Sequence, residues 1–329
     1  MAKNKSLNNA KSAKKDDFYT QMTTIDKELY YYGNIHRQFE DKTIVLPCDE
    51  GPHSLFYQHF MLKRESYGWK KLIAIGYELK REAVVHICER IDNGEFTEYK
   101  DTIWHENNEP VKGNGDFRGA ATMKYILEGD IIVTNPPFSL LREFLTMLID
   151  NNKHFLVLGN QNSISCKEIF PLFKEDKMWC GYTFNSVEPF EVRGGDYKYD
   201  HIEQVLEDGE IKNKKIAYVS GITWFTNLPT TKRDEVIDTG RSYKLGLSKG
   251  LYKKYDNYDA IEVGKIDQIP MDYKGVMGVP ITFINKYNPK QFKLIGIDRY
   301  VEDNPNYGKR FTIDGKEKYA RLLIQFRNI

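Results

Sequence analysis

Residues 131–138 read IIVTNPPF, and the chain continues SLLREFLTMLID. An asparagine, two adjacent prolines and a phenylalanine stand directly behind a β-branched apolar run. These four residue types suit one kind of chemistry, alkylation of an amino group whose lone pair is delocalised into a ring. Such a nitrogen is a poor nucleophile, and a site that alkylates it must offer acceptors that hold the NH₂ and favour a tetrahedral nitrogen. Asn135 brings a side-chain carbonyl acceptor. Pro136 brings a main-chain carbonyl whose direction is fixed by the two rigid φ angles of Pro136 and Pro137. Phe138 brings an aromatic face that can stack on a base removed from its duplex. An ordinary Asn-Pro turn is the plainer reading of the same letters.

The flanking elements give the loop its place. Gly129 and Asp130 precede Ile131, Ile132 and Val133, and the run predicts a buried central strand. Leu141, Phe144, Leu145 and Leu148 have helical spacing within 140–149. Asn135–Phe138 is then a strand-to-helix loop, the place where open α/β sheets bind ligands. Elsewhere, strands are predicted at 43–46, 70–78, 154–159, near 178–184 and at 216–227, with helices at 54–62 and 166–175. Residues 81–100 are mixed, and 111–119 (VKGNGDFRG) form a Gly-rich loop. The alternation predicts an α/β fold of Rossmann-like type, a mostly parallel sheet with helices on both faces. No internal repeat is visible.

The chain of 329 residues is long enough for one large or two moderate domains, and its composition is that of a globular protein. No apolar run approaches the roughly 18 residues of a membrane span, and the N-terminus has no apolar signal segment. Cys48, Cys88, Cys166 and Cys180 are scattered without a CxxC pair, as expected of reduced thiols in a cytoplasmic protein. The seven histidines form no zinc spacing, and no catalytic metal is expected. The net charge of +1 conceals local asymmetry. Residues 1–15 are a basic, flexible tail. Positions 229–254 gather Lys232, Arg233, Arg241, Lys244, Lys249, Lys253 and Lys254, and tyrosines interleave and follow at Tyr243, Tyr252, Tyr255 and Tyr258. Mixed basic and aromatic loops suit phosphate contacts and base stacking; a solvated face of an ordinary domain would look similar.

NPPF resembles the signature of amino-methyltransferases. Over most of its length the chain also resembles the EcoRI-type family of adenine-specific (N6) DNA methyltransferases. The stretches that carry the likeness are DDFYTQ (16–21), VLPCDEGPHSLF (45–56), GNGDFRG (113–119), IIVTNPPFSLLREFL (131–145), WFTNLP (224–229) and YDNYDAIEVGKIDQIPMDYKGVMGVPITF (255–283). The resemblance implies S-adenosyl-L-methionine as cofactor and double-stranded DNA as partner. It implies Asn135, Pro136, Pro137 and Phe138 as the catalytic set. Phe18, Tyr19 and Thr20 stand where the family meets the methionine end of the cofactor. The loop with Cys48, Asp49 and Gly51 stands at the first cofactor motif, although Gly51 is its only glycine where the usual pattern is glycine-rich. Glu78, at the end of a strand, is placed on the ribose hydroxyls. Asp116 would accept from the adenine amino group, with Phe117 against the ring and Phe144 as a pocket wall or a core residue.

The resulting expectation is a catalytic domain over 16–228 and a DNA target-recognition region over 229–329, contacting DNA through Lys232, Arg233, Arg241, Lys244, Lys253 and Lys254. The enzyme would flip its target adenine. It would act as a cytoplasmic monomer, with a cognate restriction endonuclease as a genetic rather than physical partner. The alternatives are a protein-glutamine N5-methyltransferase, whose amide NH₂ is also delocalised, and a catalytically inactive DNA-binding protein.

Overall fold

A computed structural model of the chain describes residues 18–77, 83–91, 95–102, 105–106, 109–110, 113–193, 198–207, 209–301 and 308–327. The basic tail and Glu78 lie outside the described residues. The chain divides into two compact units: the described residues up to Gln161 with Gly181–Leu228, and those of Asn162–Cys180 with Pro229–Ile329. Residues 162–180, which a single cut at 228 leaves in the first domain, belong to the second unit.

The first unit is a large sheet with helices against it. Its strands are β1 (Phe18–Thr20), β2 (Thr43–Leu46), β3 (Lys71–Ile75), β4 (Val84–Arg90), β5 (Phe96–Thr102), β6 (Ile131–Thr134), β7 (His154–Asn160), β8 (Ser186–Val192), β9 (His201–Glu207) and β10 (Glu210–Thr226). They run in the order β1-β8-β10-β7-β6-β2-β3-β4-β5, with β9 paired to β10. The four central strands, β7-β6-β2-β3, are parallel, and the flanks on both sides are antiparallel. Every residue of β2 and β6 is buried, the signature of a strand covered on both faces. The antiparallel flanks mix polar and apolar residues, and in the SVEPFEV stretch of β8 Glu188 and Glu191 are buried beside Phe190 and Val192. That mixture hides them from a search for apolar runs.

Helix α1 (Met22–Tyr30), α2 (Leu55–Leu62), α3 (Ala120–Glu128) and α4 (Leu141–Asp150) cover this sheet. Leu141, Phe144, Leu145 and Leu148 of α4 are buried, as their spacing predicts. Ser54 caps α2, its hydroxyl accepting from the amides of Phe56 (3.1 Å) and Tyr57 (3.4 Å). The helix predicted over 166–175 is confined to α5 (Phe170–Lys174). Pro171 sits in its first turn, the only helical position where its missing N–H is harmless, so the helix cannot begin earlier.

Helix α1 is fixed by a buried acid. Glu28 is fully covered and accepts from the amides of Tyr182 (2.7 Å) and Thr183 (2.6 Å) and from the Tyr32 hydroxyl (3.2 Å). Gly181 is required beside it, because a Cβ there would collide with the carboxyl. Burial pushes the Glu28 pKa from 4.5 up to about 7. Between those values the folded chain keeps a proton that the unfolded chain has lost. Stability from this group is therefore fully present below pH 4.5 and declines as pH rises towards 7, by up to about 1.4 kcal/mol per pH unit. Urea unfolding of wild type and Glu28→Gln should show it: wild type loses stability relative to the variant between about pH 5 and 7.5. A constant difference across that range would remove Glu28 as the titrating group.

The second unit is built on a four-stranded sheet: β11 (Ile261–Glu262), β12 (Met277–Pro280), β13 (Phe292–Ile297) and β14 (Arg321–Phe326), in the order β11-β12-β14-β13. The distinctive 255–283 stretch supplies β11 and β12. Within this unit Glu262 receives Arg321 at 2.6 and 3.0 Å and the Tyr255 hydroxyl, so the buried charge is paired and hydrogen-bonded.

Candidate active site

Strand β1 and the loops after β2 and β6 meet at the carboxyl end of the parallel strands. Asn135 follows β6 directly. Its amide nitrogen donates to the Phe18 carbonyl (2.6 Å) and approaches the Thr20 hydroxyl (3.0 Å). The Phe18 carbonyl can only accept, which fixes the orientation of the amide. The Asn135 Oδ1 atom is then left buried without a hydrogen-bond partner. A buried unpaired acceptor costs about 1–3 kcal/mol, and its natural complement is an N–H donor. Two segments 117 residues apart in sequence thus orient one carbonyl.

Phe138 is buried, with 7 % of its surface exposed. It stacks on Phe18 (centroids 5.7 Å, planes at 22°) and meets Phe190 edge-on (6.3 Å, 85°). The ring therefore takes part in the core beneath the loop as well as standing beside Asn135. Tyr19 is half-exposed, with the Arg193 guanidinium 3.9 Å from its ring centroid.

Asp49 sits at the end of β2 with both carboxyl oxygens engaged, receiving Ser54 Oγ (2.5 Å) and Thr134 Oγ1 (3.1 Å). Burial raises its pKa to about 6, against the lowering effect of those two hydroxyls. Through Thr134, Asp49 links the loop after β2 to the residue before Asn135. Gly51 has φ of 45°, and a Cβ there would strike the His86 ring. The single glycine of this loop therefore stands where one is needed. Cys48 beside it is half-buried and outside any disulfide.

The 113–117 loop lies against the same edge. Gly115, at φ 81°, packs on the Gly76 carbonyl just beyond β3 so closely that no side chain fits. This puts Asp116 and Phe117 near the end of β3. The Asp116 carboxylate is gripped by Arg118: Oδ1 takes Nε (2.8 Å) and Oδ2 takes Nη2 (2.5 Å). The Arg118 guanidinium holds the Asp116 carboxyl below the usual carboxylate range. Phe117 is buried and meets Phe144 edge-on (5.0 Å, 83°), and Phe144 itself is fully covered. Phe144 thus belongs to the core and touches the site through Phe117.

In the second unit the basic residues differ in availability. Arg233 is committed, paired with Asp176 (2.5 Å) and laid 4.0 Å over the Trp179 ring. Lys232 donates to Asn285 (2.6 Å), and Arg241 lies 3.4 Å from the Asp267 carbonyl. Lys244 is exposed. Lys253 and Lys254 are exposed in pairs with Asp314 (2.8 Å) and Asp259 (3.2 Å). Exposed pairs of this kind contribute little to stability. Tyr252 and Tyr255, which suggested base stacking in the sequence, are buried and pack this unit.

Thr134, Ser54, Arg118 and Phe190 take part in this arrangement and were not singled out in the sequence. Ser54 was legible as a cap before an apolar helix. The other three were not, since Thr134 reads as strand, Arg118 as loop and Phe190 as part of a polar-apolar alternation.

The chain matches the family described as adenine-specific methyltransferase EcoRI over residues 6–326. It is 39 % identical to the Type II methyltransferase M.EcoRI of Escherichia coli, covering 100 % of this chain and 98 % of that protein. It is 36 % identical to M.MgeORF184P of Mycoplasma genitalium, covering 98 % and 99 %, and 36 % identical to M.MpnI of Mycoplasma pneumoniae, covering 98 % of each. No solved structure matches it significantly. With the match running through both units and through the loop that orients Asn135, the chain belongs to the EcoRI family of adenine-specific methyltransferases.

Proposed function

We propose that the protein is a site-specific DNA adenine methyltransferase that uses S-adenosylmethionine, flips its target adenine out of the duplex and methylates N6. The observation that carries this reading is the buried, unpartnered Oδ1 of Asn135. An adenine N6–H supplies the missing donor, whereas a generic binding loop has no need to keep an acceptor unpaired. Membership of an adenine-specific family favours this over the amide of a protein glutamine.

The chemistry of the neighbouring residues fits the cofactor. Asp49, Asp116 and the loop amides offer partners for an amine, a ribosyl adenine and a carboxylate, and Phe117 offers an aromatic wall. When bound, S-adenosylmethionine supplies a methyl group on a sulfonium whose departure leaves a neutral thioether, so no strong base is required. Asn135 Oδ1 and the Pro136 carbonyl accept the two N–H bonds of the target amino group and favour its tetrahedral form. The aromatic pair Phe18 and Phe138 holds this loop in place. Thr134, bonded to Asp49, couples it to the cofactor loop. The proton lost by the methylated nitrogen passes to solvent. The first unit is the catalytic part. The second is the target-recognition part, meeting phosphates through Lys244, Lys253 and Lys254; breaking its internal pairs would free Arg233.

Asp116→Ala should weaken cofactor binding by about 1–3 kcal/mol, the range for a lost hydrogen bond to a buried polar partner. Because Arg118 already occupies this carboxylate, Arg118→Ala should leave the cofactor as tightly bound or tighter. Calorimetry showing an unchanged dissociation constant for Asp116→Ala would take it out of the adenine site. The activity itself is tested by sequencing DNA from cells that express the protein, with detection of N6-methyladenine and with Asn135→Ala as control. Absence of a methylated motif from an expressed, folded protein would refute the assignment.

A further inference from the structure

Strand β10 is longer than its neighbours. It pairs with β7 from Ile222 to Thr226 and with β8 from Ile216 to Ile222. From Glu210 to Lys215 its only sheet partner among the described residues is β9. The register fixes where this ribbon points. Asn160, at the carboxyl end of β7, faces Ile222, so residues before Ile222 run on past the carboxyl edge of the parallel strands. That is the edge on which Asn135 lies. Beside the ribbon's root, Glu191 faces both Ile216 and Tyr19. The ribbon is therefore rooted two strands from the segment that orients Asn135. At about 3.4 Å per residue it reaches roughly 20 Å beyond the sheet.

The two faces of the ribbon differ. Cross-strand partners share a face, so Ile202/Lys215, Gln204/Asn213 and Leu206/Ile211 form one and Glu203/Lys214 and Val205/Lys212 the other, with Glu207 paired to Glu210 at the tip. The first face has Ile202, Leu206 and Ile211 exposed at 51, 74 and 71 %. Among the described residues its polar members are two carboxamides and one lysine, with no carboxylate. At the ribbon's root is an open groove of about 920 Å³ to which both faces contribute, Ile202 and Gln204 from the first and His201, Glu203 and Tyr218 from the other.

We propose that this ribbon is a DNA-contacting arm, and that its Ile202–Leu206–Ile211 face enters a groove of the duplex beside the target adenine. The inference rests on the DNA methyltransferase reading and adds to it a contact from the catalytic unit itself. A duplex that presents an adenine to Asn135 must pass this edge of the sheet. The major groove admits a two-stranded ribbon, and carboxamides pair with the N6 and N7 edge of adenine. An exposed apolar pair one step behind the Glu207/Glu210 tip is the kind of wedge that unstacks a base step.

The test compares wild type with Leu206→Ser/Ile211→Ser. The probes are a duplex oligonucleotide carrying the methylated site found by sequencing, and S-adenosylmethionine. The variant should bind the duplex at least about tenfold more weakly, with cofactor affinity and thermal midpoint unchanged. Independently, a benzophenone amino acid at position 206 of the otherwise wild-type chain should cross-link to the duplex under light. If wild type binds and methylates the duplex while the variant does so equally well and no DNA cross-link forms, the arm is wrong and the enzyme assignment stands. Cross-linking to a second protein chain, with a dimer lost in the variant, would make the face a self-association surface and overturn the proposal. If wild type methylates no DNA, the underlying reading fails instead.

Discussion

Asn135→Ala should reduce turnover by about 10²–10³-fold while the dissociation constant for S-adenosylmethionine stays near the wild-type value. The estimate follows from removing one preorganised hydrogen-bonding group aimed at the reacting atoms. The amide is oriented by the Phe18 carbonyl at 2.6 Å and buried beside Thr20, and its free oxygen has no other partner. Asn135→Asp should fail as well. It would set a carboxylate oxygen against the Phe18 carbonyl, acceptor against acceptor, where an N–H now donates. Thr20→Val removes the weaker of the two contacts and should have a smaller effect. Single-turnover methylation with calorimetry of cofactor binding separates chemistry from binding. An Asn135→Ala enzyme within about tenfold of wild type, roughly 1.4 kcal/mol of barrier, would show that the carbonyl does not act on the target nitrogen.

Phe138→Ala should have two effects that can be read apart. The ring is nearly buried between Phe18 and Phe190, and deleting it should cost about 3–5 kcal/mol of stability, as large-to-small aromatic substitutions in cores do. Denaturant unfolding measures that loss. The second effect is on catalysis. If the ring also supports an extrahelical adenine, a contact worth about 1–3 kcal/mol, Phe138→Ala will harm a fully paired site more than the same site with its adenine mispaired. The mispaired base costs less to flip. Phe138→Tyr and Phe138→Trp retain a flat ring and should keep much of the activity. Equal loss on paired and mispaired DNA would assign Phe138 to packing alone, acting through Phe18 and hence through the orientation of Asn135.

The central elements and the chemistry they carry could be read directly from the order of residues. Thr43–Leu46 and Ile131–Thr134 were legible to the residue, because strands buried on both faces must be apolar throughout. The α4 stripe was legible because a one-sided helix repeats every three to four residues. Asn-Pro-Pro-Phe was legible because its residue types are chosen for geometry and hydrogen bonding within four consecutive positions. The match of long stretches in both units carried the family.

Features that depend on pairs distant in sequence emerged with the fold. The antiparallel flanks mix polar and apolar residues, so β8, β9 and the 210–215 part of β10 did not stand out, although the rest of β10 was predicted as the strand at 216–227. The Tyr252 and Tyr255 rings looked like stacking surfaces, yet they fill the second unit's interior, since an aromatic ring reads alike in either place. Arg233 looked like a free cation and is held by Asp176, 57 residues away. Above all, the free carbonyl of Asn135 exists because Phe18 takes the other end of the amide. A motif can specify which groups are present, but which of them is left unsatisfied is settled by the neighbours that folding brings against it.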